Sequence, residues 1–182
     1  MQNGTEFMVM MLLNCFQNLQ MYLLKMDIKK YRTQIKLHVT PVWHAEPPIV
    51  AVQFSKDIFF KEQIKESKIY SYEEYLPTGD HNITIEFLNK KNADTVAGKD
   101  KAVLIDKIIF NGIESERYVW QGIYSPSYPE PWASQQKKLG KNLSNTIKSA
   151  TYLGWNGKWT LTYSAPIFTW IHKIENHGWI YD

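Results

Sequence analysis

Asp100-Lys-Ala-Val-Leu-Ile-Asp-Lys-Ile-Ile-Phe-Asn-Gly-Ile113 reads as one β-strand running into a tight turn. Residues 102–110 are apolar apart from Asp106 and Lys107. Asn-Gly is the dipeptide that a two-residue hairpin favours, because both central positions take a positive φ. Asp106 stands out, since a carboxylate is costly to bury without a partner. Two readings of it stay open: an outward position on an alternating strand, or a ligand to a metal or to sugar hydroxyls.

The pattern on either side is also β. Residues 34–40 alternate with period two, so that Ile35, Leu37 and Val39 share a face. Residues 49–54 are apolar enough for a central strand. Residues 58–64 and 68–76 are more charged and suit edges or a hairpin. Residues 77–80 form a turn, and residues 81–87 place Ile83, Ile85 and Phe87 inward. Residues 116–123 are expected to continue the sheet, and residues 159–163 form the last clear strand. Between those two, residues 125–156 make a long segment rich in Pro, Ser, Lys and Asn, a length that is usually functional or mobile when it is a loop. After Pro166, Ile167, Trp170, Ile171 and Ile174 recur at helical spacing, with Gly178 as a stop. Short strands with turns between them and no interleaved helices predict an all-β, antiparallel sandwich of jelly-roll type with a short C-terminal helix.

The 182 residues suffice for one domain with a real core, expected over residues 31–182. Residues 1–30 read as an N-terminal extension. Its apolar run Phe7-Met-Val-Met-Met-Leu-Leu13 is too short to span a membrane and lacks a basic flank. Three readings remain for it: an amphipathic helix that docks or oligomerises, a stretch upstream of a true start at Met26, or a poor signal peptide. Met26 is the favoured expectation, because the first convincing strand follows it. A formal charge of +3 is too weak for the clustered basic face that nucleic acid requires. The single cysteine, Cys15, excludes an intrachain disulfide and a cysteine-based zinc site.

Two sets of residues carry the functional reading. Asp94, Asp100 and Asp106 lie close in sequence, with Asn89 and Asn92 nearby. Calcium takes six to eight oxygen ligands from such groups, although the spacing is not that of an EF-hand. The bland alternative is a solvated loop in which Asp100 pairs with Lys99 or Lys101. The second set is aromatic. Seven Trp and eleven Tyr exceed what packing needs. Tyr118, Trp120, Tyr124, Tyr128, Trp132, Tyr152 and Trp155 flank or occupy the long segment, where exposed rings would stack on sugars or anchor protein interfaces, and all but Tyr152 are the candidate glycan-binding set. Trp159, Tyr163 and Trp170 read as packing residues. Catalysis has no support: the five His form no metal-ligand pair, and no nucleophile elbow or phosphate loop is present.

Lys99-Asp-Lys-Ala-Val-Leu-Ile-Asp-Lys-Ile-Ile-Phe-Asn-Gly112, preceded by Gly79-Asp-His-Asn-Ile-Thr-Ile-Glu-Phe87, resembles the core of calcium-dependent xylan-binding carbohydrate-binding modules. Tyr128-Pro-Glu-Pro-Trp-Ala-Ser134, Leu153-Gly-Trp-Asn-Gly-Lys-Trp-Thr-Leu-Thr162 and Pro166-Ile-Phe-Thr-Trp-Ile171 resemble small uncharacterised proteins of marine T4-like phages. The first resemblance covers about a third of the chain and implies a non-catalytic glycan-binding sandwich with calcium as cofactor. The second covers most of it after Pro47 and implies a phage-encoded protein. The expectation is a module that binds a glycan or a host surface through the six rings and the three loop carboxylates. The alternative is a virion component, such as a head decoration, neck or tail accessory protein, assembling through protein interfaces or as a homo-oligomer.

Overall fold

The computed structural model describes residues 29–54 and 58–176, together with Phe16. The chain divides into two compact units, Met1–Lys30 and Tyr31–Asp182. The expectations for the N-terminal extension, and the Gly178 helix stop, lie outside the described residues.

Tyr31–Asp182 builds two antiparallel sheets. In the first, β1 (Lys30–Val42) pairs with β6 (Ala102–Phe110). β4 (Lys68–Pro77) closes the β1 side and β10 (Tyr152–Leu153) the β6 side. The second sheet runs β3 (Phe59–Gln63), β2 (Ile49–Gln53), β5 (Gly79–Phe87), β11 (Asn156–Ala165), β8 (Ile123–Ser127) and β9 (Ile147–Lys148). This is the antiparallel sandwich that the strand spacing predicts, with β3 and β4 at edges and β6 inside its sheet. Among the described residues, no helix is long and apolar enough to cross a membrane.

Period-two alternation accounts for the core. Leu37 and Val39 from β1 and Val50 and Val52 from β2 are fully buried, as are Ile83, Ile85 and Phe87 from β5 and Trp159, Leu161 and Tyr163 from β11. Each of the aliphatic and Phe side chains among them contributes about 1.5–3 kcal/mol by leaving water. On β6 the rhythm breaks once. Val103 and Ile105 point inward, and so do Ile108 and Phe110, an interval of three in the middle. The pairing shows why: His38 faces Lys107 while Val39 faces Ile105, so Asp106 is the extra residue of a β-bulge. The Asn-Gly turn then forms as expected. Asn111 and Gly112 have φ of 50° and 82°, and β7 (Ile113–Glu114) folds back on β6.

Residues 116–123 do not continue the sheet. Glu116–Trp120 is a helix, α1, whose N-cap Ser115 accepts a hydrogen bond from the Arg117 N–H at 3.3 Å. The adjacent residues Tyr118 and Val119 are both buried, which a strand with one wet face does not allow. Nor is 125–156 a structureless loop. It carries the end of β8, a helix α2 (Trp132–Lys138), β9 and β10. The C-terminal helix α3 (Ile167–Glu175) starts after Pro166 and stops at Asn176, whose left-handed φ of 56° closes it before Gly178. Its Trp170 packs on Phe110 and Tyr118, with ring centroids at 5.2 and 5.5 Å.

Between α1 and β8, Gly122 leaves room for the Trp159 indole. A methyl group there would lie 2.1 Å from the ring. The ring has nowhere to go, because it is fully buried and its Nε1–H donates to the Ala150 carbonyl at 2.9 Å. Gly122→Ala is expected to cost about 3 kcal/mol, the upper end for overpacking, read as a lower urea midpoint at unchanged slope.

Candidate functional site

Three chain segments meet where β11 begins: the loop of residues 89–101, the turn before Asn156, and the segment 128–132 that leads into α2. The Asn156 amide joins the first two. Its Oδ1 accepts the Lys90 N–H at 2.6 Å and its Nδ2 donates to the Lys90 carbonyl at 3.0 Å. Next to it, the Trp155 backbone is held from both ends by the Tyr124 hydroxyl. That group donates to the Trp155 carbonyl and accepts the Trp155 N–H at 3.1 Å. Burial pushes the Tyr124 hydroxyl up to about 12, so it remains a donor at neutral pH.

On this frame sit three rings. Trp132 and Trp155 have centroids 4.6 Å apart, and Tyr128 lies 5.8 Å from Trp132 and 6.1 Å from Trp155. All three are half-buried. Tyr128 is fixed by donating to the Ser144 carbonyl at 3.0 Å. The Lys90 ammonium lies 5.6 Å from the centroid of the Trp155 ring, within cation–π range.

Beside the rings lies a charge network. The side chains of Lys90 and Lys101 are only 2% and 1% exposed. Lys90 bonds Asp100 Oδ1 and donates to the Lys101 carbonyl at 2.7 Å. Lys101 reaches Asp94 Oδ2 at 2.8 Å, Glu46 Oε2 at 3.2 Å and the Asn89 carbonyl at 3.2 Å. Asp100 also accepts from the Thr95 and Tyr152 hydroxyls, both at 2.7 Å. Asp94 Oδ2 accepts the Lys91 N–H at 2.7 Å. Burying an ammonium costs several kcal/mol unless its donors find good acceptors, and here each ammonium has three partners, one of Lys90's being the Trp155 ring.

These contacts set the titration of the loop. Burial raises the carboxyls of Asp94 and Asp100. For Asp94 the Lys101 ammonium and the Lys91 N–H outweigh it, and for Asp100 Lys90, Thr95 and Tyr152 do. Both end below the usual carboxylate range. A lowered folded-state value means that the stabilisation is complete above the unfolded value of about 4 and is lost as pH falls below it. The urea midpoint is therefore expected to be level from neutral pH to about 5 and to fall on further acidification, less steeply in Asp94→Asn.

The predicted site residues thus part company. Tyr128, Trp132 and Trp155 come together. Tyr118 is a fully buried core residue against Phe110 and Trp170, and Tyr124 serves from beneath. Neither presents a face to a ligand. Trp120 is 48% exposed at the end of α1, with its carbonyl accepting from Ser149 at 2.9 Å, and makes no ring contact with the trio. Asp100 is linked to the trio through Lys90, and Asp94 pairs with Lys101, so the partner of Asp100 is neither Lys99 nor Lys101. Asp106 points outward at the bulge, roughly 15 Å further along β6, and accepts from the Thr40 hydroxyl at 2.7 Å. The Asn89 side chain is used by the Ile49 N–H and the Pro47 carbonyl, and Asn92 is exposed.

The three carboxylates therefore do not fit a calcium site. Two face buried ammoniums, and the third is remote. Among the described residues, no three His, Cys, Asp or Glu side chains are grouped as a metal would need. From the sequence alone Glu46 and Lys90 have no functional role, Lys101 figures only as a neighbour of Asp100 in a solvated loop, and Tyr152 only among the rings. The one visible sign was charge balance: Lys90-Lys91 and Lys99 with Lys101 bracket Asp94 and Asp100.

No protein-family model matches the chain, and no curated protein matches it. Among solved structures it is similar to a calcium-dependent carbohydrate-binding module, vCBM60, in its selenomethionine form. The identity is 15% and the TM-score 0.43, over 71% of this chain and 89% of that one. The same module in complex with galactobiose matches at 15% identity and a TM-score of 0.40, over 70% and 96%. Likenesses this distant say nothing of what this chain binds, and nothing in them speaks to a phage source.

Proposed function

We propose that this chain is a non-catalytic β-sandwich module that binds a glycan through Tyr128, Trp132 and Trp155. The observation that carries this reading is the ring trio itself: three half-buried aromatics within 4.6–6.1 Å of one another, on a braced backbone. Rings held in place lose little entropy when a flat apolar ligand face settles on them. A sugar ring offers such a face, with hydroxyls at its rim for polar neighbours. Glu130, exposed between Tyr128 and Trp132 in the chain, and the Tyr152–Asp100 pair, joined to Trp155 through Lys90, supply such polar groups. Asp94, Asp100, Lys90 and Lys101 act in this reading as the scaffold of the site.

The rival reading, an assembly component of a virion or other particle, draws on a different surface. Phe59, Phe60, Ile69 and Tyr75 stand exposed on the edge strands β3 and β4. The two readings separate on a glycan array carrying xylan, galactan, mannan and glucan oligomers. Retention of one glycan class by the wild type, and its loss in Trp132→Ala, is the expected result. No retention of any class by the wild type would count against the glycan reading.

A further inference from the structure

We infer that Lys90 and Lys101 hold the loop of residues 89–101 closed without a divalent cation, and that Lys90 is a positioning residue that carries the loop's order to the Trp155 ring. The inference deepens the glycan reading and rests on it only for what the rings hold.

Two observations lead to the metal-free loop. Each ammonium sits against its own carboxylates, Lys90 on Asp100 and Lys101 on Asp94 and Glu46. They also take the oxygens that a hard cation would want, namely one oxygen of each of those carboxylates and the carbonyls of Asn89 and Lys101. Calcium needs carboxylate and carbonyl oxygens with no competing cation among them. An ammonium within 3.2 Å of every one of these oxygens keeps a second cation out by like-charge repulsion.

The coupling to the rings follows from the third contact of Lys90. Its first two hold Asp100 and the Lys101 carbonyl, and its last lies at the Trp155 ring. The Lys90 backbone is in turn locked to Asn156, next to Trp155, by both bonds of the Asn156 amide. The ring orientation of Trp155, and through it the 4.6 Å approach of Trp132, is thus tied to a loop that lysines hold closed. A metal is not needed to assemble the aromatic face.

The test uses the full chain with no glycan present, so that its outcome is independent of the glycan reading. Thermal melts in excess EDTA and in millimolar calcium chloride are expected to superimpose, and a higher midpoint in calcium would overturn the metal-free loop. The near-UV circular dichroism of the wild type minus that of Trp132→Ala isolates the contribution of the Trp132–Trp155 pair. Lys90→Met is expected to lose that signal while keeping the far-UV spectrum of the sheets, and an unchanged near-UV signal would overturn the positioning role. Should Lys90→Met fail to fold, Asp100→Asn keeps the volume and weakens the Lys90 pair, with Thr95→Val as the control for the hydroxyl bond that the same carboxylate accepts. The near-UV signal of Asp100→Asn is expected to diminish, and a wild-type signal in that variant would be equally damaging.

Discussion

Asp94→Ala is expected to lower stability by about 3–5 kcal/mol, the cost of leaving one member of a buried ion pair without its partner. Lys101 is the reason. Its side chain is 1% exposed, and Asp94 at 2.8 Å is its nearest carboxylate, itself mostly buried. Glu46 remains at 3.2 Å, but that side chain is 43% exposed and is shared with Lys91. It cannot make up the loss. Asp106→Ala is the natural contrast. It removes one hydrogen bond from Thr40 on an exposed strand face and should stay within about 0.5 kcal/mol of the wild type. Urea denaturation of both variants separates the two acids: equal, small effects would mean that Lys101 reaches water and that the charge network is decoration.

Trp155→Ala is expected to weaken glycan binding by about 30-fold or more, the 2 kcal/mol or greater loss typical of a central aromatic anchor. The loss should fall on binding and much less on folding. Tyr124 holds the Trp155 backbone, not its ring, and those bonds survive the substitution. Trp120→Ala removes an equally large ring that stands apart from the trio and should leave affinity unchanged. Isothermal titration with the glycan class that the array identifies checks both variants. A Trp120→Ala effect as large as that of Trp155→Ala would move the site to α1.

Much of the sandwich was legible because period two is a strong signal where one sheet face is dry. Residues 34–40 and 81–87 show it without interruption, and both are strands with the expected faces inward. The Asn-Gly turn was equally plain, since few dipeptides tolerate two positive φ angles. The bulge was present in the spacing as well: Val103, Ile105, Ile108 and Phe110 cannot share one face of a regular strand. Residues 116–123 misled, because Val119 among aromatics looks like a strand until Ser115 is recognised as a cap.

The candidate site was legible only in part. Tyr128, Trp132 and Trp155 were all named as candidates, but their convergence depends on a contact between segments more than twenty residues apart, which periodicity cannot encode. Tyr118 and Tyr124 looked the same in sequence and lie in the core, because an aromatic residue's role is set by the side of the backbone it leaves from. The acidic residues misled for an electrostatic reason. Carboxylates draw attention as metal ligands, yet the cations that answer them here are lysines of the same loop, and a lysine reads as surface until its burial is seen.

Titration of the array-identified glycan class into wild type and Trp155→Ala, both in excess EDTA, bears most directly on the proposal that the ring trio binds glycan on a metal-free frame. Saturable binding by the wild type in chelator, and its loss in Trp155→Ala, is the predicted result. Binding that survives unchanged in Trp155→Ala, or a wild type that binds no glycan, would contradict it.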